Sequence, residues 1–138
     1  MDPVKIVVHY IDGRIIKGFT QSFVPNKPTF NIWPIGHKPP NENIEVSVKD
    51  LKGVFFVRDF AGNPKYKELK IFPEGAKILG RKVEVTFKDG EVIVGSTLDY
   101  EPGRPWFFLY PSDPHWNILR VFVLSQAVAK VSYAIQNL

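Results

Sequence analysis

Cysteine is absent from the 138-residue chain, and methionine occurs once. Without thiols, neither a disulfide framework nor a Cys-based zinc site can form. Long apolar runs are also missing. The longest, Trp106-Phe107-Phe108-Leu109-Tyr110, falls far short of the roughly 18 residues that a membrane span takes. No charged-then-apolar leader opens the chain. A soluble, cytoplasmic protein without a membrane partner is the expectation. Histidine is sparse: His9, His37 and His115 show no metal-ligand spacing, and a metal site needs several convergent ligands. There is no Gly-x-Ser-x-Gly elbow, no phosphate-cradling glycine loop and no dinucleotide fingerprint. The sequence therefore gives no catalytic, cofactor-binding or metal-ligating residue, and we expect no enzyme and no cofactor.

The net charge is +4, which invites a nucleic-acid partner, because clustered Lys and Arg neutralise phosphates. The charges are not clustered. Residues 1–58 carry eight basic and five acidic side chains, residues 59–80 four and three, and residues 81–138 six of each. No block of one sign appears, so a mixed solvated surface is the simpler reading.

What the chain does contain is a repeat. A shift of 77 positions aligns Lys5–Pro34 with Lys82–Pro111 without a gap and gives 11 identities in 30 positions. Among them are Val8/Val85, Asp12/Asp89, Gly13/Gly90, Ile16/Ile93, Gly18/Gly95, Thr20/Thr97 and Phe30/Phe107. These are turn residues and inward apolar positions, which a backbone dictates more than a ligand does. Duplication explains the shared offset, and two copies are too few for a solenoid.

Each copy reads as five short strands. Residues 5–11 and 82–88 are rich in β-branched and aromatic side chains, and Asp12-Gly13 and Asp89-Gly90 follow at once, a two-residue hairpin signal. Second strands are expected over Ile15–Phe23 and Val92–Tyr100. Gly18 and Gly95 within them mark a bend or a close approach of backbones. Proline-flanked turns lead to third strands at Thr29–Trp33 and Trp106–Tyr110. Fourth strands lie near Ile44–Val48 and Arg120–Leu124. Short turns lead to fifth strands at Gly53–Arg58 and Lys130–Ile135. The fold class expected is mainly β: two tandem five-stranded barrels, residues 1–58 and 81–138. The connector, residues 59–80, carries Phe60, Tyr66, Leu69, Ile71, Phe72, Ile78 and Leu79 and is too apolar for a flexible linker. It is expected to pack against the barrels, with a helical turn near Lys65–Lys70.

The pattern Val8-x-Tyr10-x-Asp12-Gly13-Arg14-x-Ile16-x-Gly18-x-Thr20 and its counterpart Val85-x-Phe87-x-Asp89-Gly90-Glu91-x-Ile93-x-Gly95-x-Thr97 resemble the first motif of Sm-like proteins, a branch of the SH3-type barrels. The resemblance covers about a third of each copy and implies the barrel. Where that family holds a base with an Asp and a later Asn, this chain has Phe23-Val24-Pro25-Asn26 and Tyr100-Glu101-Pro102-Gly103. Where the family has an Arg-Gly pair, the nearest segments are Val57-Arg58-Asp59 and Ala134-Ile135-Gln136. The departures fall on RNA-contacting positions, so RNA binding does not carry over. The whole chain also resembles an uncharacterised bacterial family that pairs two such copies, with a segment like Val54-Phe55-Phe56-Val57-Arg58-Asp59-Phe60. The Arg-x-x-x-Arg and Asp-x-Ser-x-x-Gly pair of PilZ-type barrels is absent.

Period-two alternation supplies the one surface signal. If Phe107 and Leu109 face inward, then Trp106, Phe108 and Tyr110 face out, with Val92, Val94 and Leu98 beside them. The first copy has Thr29, Asn31 and Trp33 at the corresponding places and is more polar. An apolar outer face is not left to water. It packs within the chain or meets a partner protein or a second copy, and Trp33 and Trp116 are further exposed anchors. The expected function is a non-catalytic binding or adaptor module for a protein partner, and RNA or single-stranded nucleic-acid binding is the alternative.

Overall fold

The computed structural model describes residues 3–36 and 42–133. His37 and the end of the last expected strand at Ile135 lie outside them. The described residues form ten strands: β1 (Val4–Tyr10), β2 (Ile15–Thr20), β3 (Thr29–Pro34), β4 (Ile44–Ser47), β5 (Leu51–Val57), β6 (Arg81–Phe87), β7 (Val92–Thr97), β8 (Trp106–Pro111), β9 (Ile118–Leu124) and β10 (Val128–Ser132). Single 3-10 turns, Val48–Asp50 and Ser125–Ala127, join β4 to β5 and β9 to β10. The second strands stop three residues sooner than expected, at Thr20 and Thr97.

The strands form one antiparallel sheet in the order β10-β6-β7-β8-β9-β5-β1-β2-β3-β4, and the sheet does not close. Pairings recur at the sequence shift of 77: Val8 opposes Ile16 as Val85 opposes Ile93, and Gly18 opposes Pro34 as Gly95 opposes Pro111. The close approach expected at the two glycines is there. A Cβ on Gly18 would lie 2.3 Å from the Trp33 carbonyl oxygen, and one on Gly95 would lie 2.3 Å from that of Tyr110.

The first hairpins differ from the two-residue turns expected. Gly13 and Gly90 have φ of +95° and +97°, but among the described residues no other residue type has positive φ, so Asp12 and Asp89 do not take the left-handed conformation that a two-residue Asp-Gly turn requires. Tyr10 N–H donates to the Arg14 carbonyl and Gly13 N–H to that of Tyr10; Phe87, Glu91 and Gly90 repeat the pattern. These are three-residue loops, with glycine at the bulge. The aspartates serve the turn: Asp12 accepts from the Arg14 N–H and Asp89 from the Glu91 N–H.

Two apolar clusters lie on opposite sides of the central pair, β5 and β9. The first gathers Val83, Val85, Phe87, Ile93, Phe107 and Leu109 with Phe55 and Val57 of β5 and Val121 and Val123 of β9. The second gathers Ile6, Val8, Phe30, Ile32 and Val46 with Val54 and Phe56 of β5 and Phe122 and Leu124 of β9. Alternate side chains of each central strand thus enter opposite clusters, and every residue of β5 is buried. That double burial explains the unbroken run Val54-Phe55-Phe56-Val57.

The connector has no helical turn at Lys65–Lys70. Instead, Tyr66 N–H closes a turn on the Asn63 carbonyl and Ala76 N–H another on that of Pro73. Of its apolar side chains Phe72 is buried, Phe60 and Ile78 are half-buried, and Tyr66, Leu69, Ile71 and Leu79 are exposed. No helix among the described residues is long and apolar enough to cross a membrane.

Candidate interface sites

β5 accepts β9 along its free side in an antiparallel register, Gly53 opposite Val123, Val54 opposite Phe122 and Phe56 opposite Arg120. This joint decides the fate of the aromatic face on β8. Trp106 and Phe108 do point away from their own cluster, but they pack against the other one. Their rings lie 5.3 and 5.4 Å from Phe122, and the Arg120 guanidinium sits 4.2 Å from the Phe56 ring and 4.8 Å from Phe108. Aromatic pairs of this kind contribute roughly 0.5–1.5 kcal/mol beyond their buried area. Thr29 and Asn31 are polar at the matching places because β3 has no such neighbour to cover. The difference between the two halves therefore builds the joint.

The other residues of that face do not join Trp106 and Phe108. Tyr110 forms one wall of a cavity of ≈ 360 Å³ with Phe72, Ile78 and Leu79 of the connector. Val94 is buried, Val92 is half-buried and its carbonyl accepts from Lys70 Nζ, and Leu98 is 66% exposed. Trp33 is half-buried in β3. Trp116 packs against the first cluster and also borders a cavity of ≈ 620 Å³ with Arg58, Asn63, Tyr66 and Asn117. Neither tryptophan stands free.

Joining β9 to β5 needs glycine at position 53, where a Cβ would lie 2.9 Å from the Phe122 carbonyl oxygen. Gly53→Ala is expected to cost about 1–2 kcal/mol as the strands are pushed apart, although alanine would otherwise favour a strand interior over glycine. Urea denaturation of the two forms checks this.

A charged group ties the same region together from the other side. Lys52, buried on β5, donates to Asp89 Oδ2 at 2.7 Å and to Glu91 Oε1 at 2.5 Å, both from the β6–β7 hairpin, and stands 4.6 Å from the Phe87 ring centre. Hydrogen bonding from Lys52 holds the Asp89 carboxyl below its ordinary pKa, helped by the Glu91 N–H. The His9 ring packs tilted against Phe55, with ring centres 4.2 Å apart. Desolvation lowers its pKa to about 4, with nearby Lys52 and Lys17 acting in the same direction and Asp89 opposing. In the first half, among the described residues, the hairpin has no such tie, and Asp12 pairs with its own Arg14 at 2.8 Å.

Asp113, 2% exposed, anchors the connector. It accepts from Tyr66 O–H at 2.6 Å, Leu69 N–H at 2.9 Å and His115 N–H at 2.9 Å. Burial pushes its pKa up, but these donors outweigh burial and leave it low. Its sequence context, Ser112-Asp113-Pro114, signals only a turn; its long-range partners carry no local signal. Asp113→Ala should cost about 2 kcal/mol by orphaning these donors. It should also speed trypsin cleavage after Lys65, Lys67 and Lys70, which limited proteolysis followed by mass spectrometry would detect.

Among the described residues no three His, Asp or Glu side chains converge as a metal site would require. The arrangement is one of packed seams and, among the described residues, open strand edges, with β4 and β10 each bordered by one strand. The model of a family of unknown function (DUF6982) matches residues 2–134. The chain belongs to this family. No curated protein and no solved structure matches it. Membership covers both halves and the connector together, so the joint lies inside the unit that the family defines.

Proposed function

We propose that this member of the family is a non-catalytic protein-binding module made of two tandem, open Sm-like barrels, residues 1–58 and 81–138, fused edge to edge, with the unpaired edges β4 and β10 as contact surface. The observation that carries this reading is the seating of β9 on β5. The chain itself displays how an edge of this type takes a strand, by backbone pairing plus insertion of Phe122 and Leu124 into an apolar cluster. At the shift of 77, β10 corresponds to β5 and β4 to β9. Strand addition gives affinity through the main chain and specificity through alternate side chains. The nucleic-acid alternative gains no support, since Trp106 and Phe108, the rings best suited to base stacking, are engaged with Phe122.

Amide hydrogen exchange of the chain with and without a partner recovered on the immobilised protein tests the reading. Protection confined to 44–47 or 128–132 is the expected result. Protection elsewhere, or retention of RNA in a strongly salt-dependent manner, would contradict it.

A further inference from the structure

The second half of the sheet repeats the aromatic frame of the first with one part missing. Phe23 stands 5.2 Å and 83° from Phe30, 5.7 Å from Phe56 and 4.9 Å from Phe122. At the shift of 77, Tyr100 stands 4.9 Å and 72° from Phe107 and 6.2 Å from Tyr133. The contact matching Phe122 has no counterpart among the described residues, because Phe122 comes from the strand added at the β5 edge and β10 carries no added strand. A cavity of ≈ 220 Å³ lies there, lined by Tyr100, Arg104, Phe107, Val128, Lys130 and Val131. Their counterparts Phe23, Phe30, Leu51 and Val54 belong to the cluster into which Phe122 packs. Exposure follows the same difference: Phe56, under the joint, is 5% exposed and Tyr133 is 42% exposed.

We propose that the β10 edge and this cavity form an acceptor site for an extended segment of a partner protein, one that places a large apolar side chain where Phe122 sits in the joint and an acidic side chain where Arg120 sits. The proposal rests on the edge-binding reading above and names the site and the ligand chemistry.

The acidic preference comes from charge. At the joint, the incoming strand supplies the cation over the Phe56 ring, Arg120 at 4.2 Å. At Tyr133 that role is already filled by Arg81 of β6, 4.0 Å from the ring, so a residue arriving at the Arg120 place meets a cation. Arg104 and Lys130 add to the basic frame. Lys130 also replaces Gly53, whose missing Cβ admits β9 at close range; a strand on β10 sits slightly farther out, which an untethered segment can do. A second copy of this chain fits poorly. Repetition of the joint would bring β4 to β10 and offer Asn43 at the Arg120 place and Glu45 at the Phe122 place.

The test is fluorescence polarisation of the full chain with a labelled peptide of residues 118–124 carrying Arg120→Glu, combined with amide exchange. Binding is expected with protection of 128–132. It should weaken about tenfold with Phe122→Ala in the peptide or Tyr100→Ala in the protein. Arg81→Glu, an exposed change that leaves the fold intact, should weaken it about threefold and reverse the preference toward the peptide with arginine retained. Protection of 128–132 that ignores the peptide phenylalanine, Tyr100 and Arg81 overturns the acceptor site and leaves edge binding standing. No binding, or protection at neither edge, overturns both. Self-association of the chain that Glu45→Lys abolishes assigns the edge to a second copy and overturns the proposal.

Discussion

Phe122→Ala is expected to destabilise the protein by about 3–5 kcal/mol, the range for removing a buried phenylalanine. Few substitutions in this chain should cost more. Phe122 is fully buried and is the ring on which Phe23, Trp106 and Phe108 converge from both halves of the sheet. A domain of this size is stable by about 5–15 kcal/mol, so roughly a fifth or more of that margin is at stake in one side chain. Both halves should feel the loss together. In urea, tryptophan fluorescence is expected to report a single transition at a lower midpoint, because Trp106 packs on the second cluster and Trp116 on the first. Leu98→Ala, on the exposed remainder of the same face, should change stability by less than about 0.5 kcal/mol. A loss below about 1 kcal/mol for Phe122→Ala would mean that the joint carries little of the fold.

The second large effect is one of pH. His9 has a folded pKa of about 4 against 6.5 for the free side chain, chiefly through desolvation. Its neutral form is the one that fits against Phe55. Above pH 6.5 neither state binds the proton and the full stability is present. Between 6.5 and 4 the unfolded chain takes up a proton that the folded chain refuses, and stability falls by up to 1.36 kcal/mol per unit. Below 4 both states are protonated and this loss stops. The total is about 3 kcal/mol, reduced somewhat by residual solvent around the ring. Asp89 and Asp113 have folded pKa values lowered from 3.8, so their stabilisation starts to fall only at the acid end of this window and is lost mostly below it. His9→Gln should flatten the stability profile between pH 6.5 and 4, as measured by urea midpoints across that range. An unchanged slope would remove His9 as its source.

Much of the scaffold was legible because it depends on local chemistry. Gly18 and Gly95 mark close backbone approaches, Gly13 and Gly90 mark hairpins, and alternation correctly sends Phe107 and Leu109 into a core. What was not legible is mostly a matter of who sits next to whom. Period two says that Trp106 and Phe108 leave their own cluster, but it cannot say that β5 of the other half lies there. Edge pairing between β5 and β9 is a long-range choice with no local marker except the doubly buried run at 54–57. The hairpin was misread because Asp-Gly fits either a two-residue turn or a turn followed by a glycine bulge. Lys52 carries no local signal, and only the fold brings Asp89 and Glu91 to it. Tyr100 and Tyr133 carry no signal in the sequence, since neither lies on the aromatic run of β8.

Among the described residues β5 and β9 are the centre of one sheet and β4 and β10 its free edges. Residue-resolved amide exchange of the unliganded chain tests that most directly. The hydrogen-bonded amides of 51–57 and 118–124 should exchange among the slowest, through global unfolding, and those of 44–47 and 128–132 through local opening and much faster. Exchange at β5 or β9 as fast as at the outer strands would contradict the joint and, with it, the reading of the edges as the place where a partner strand is added.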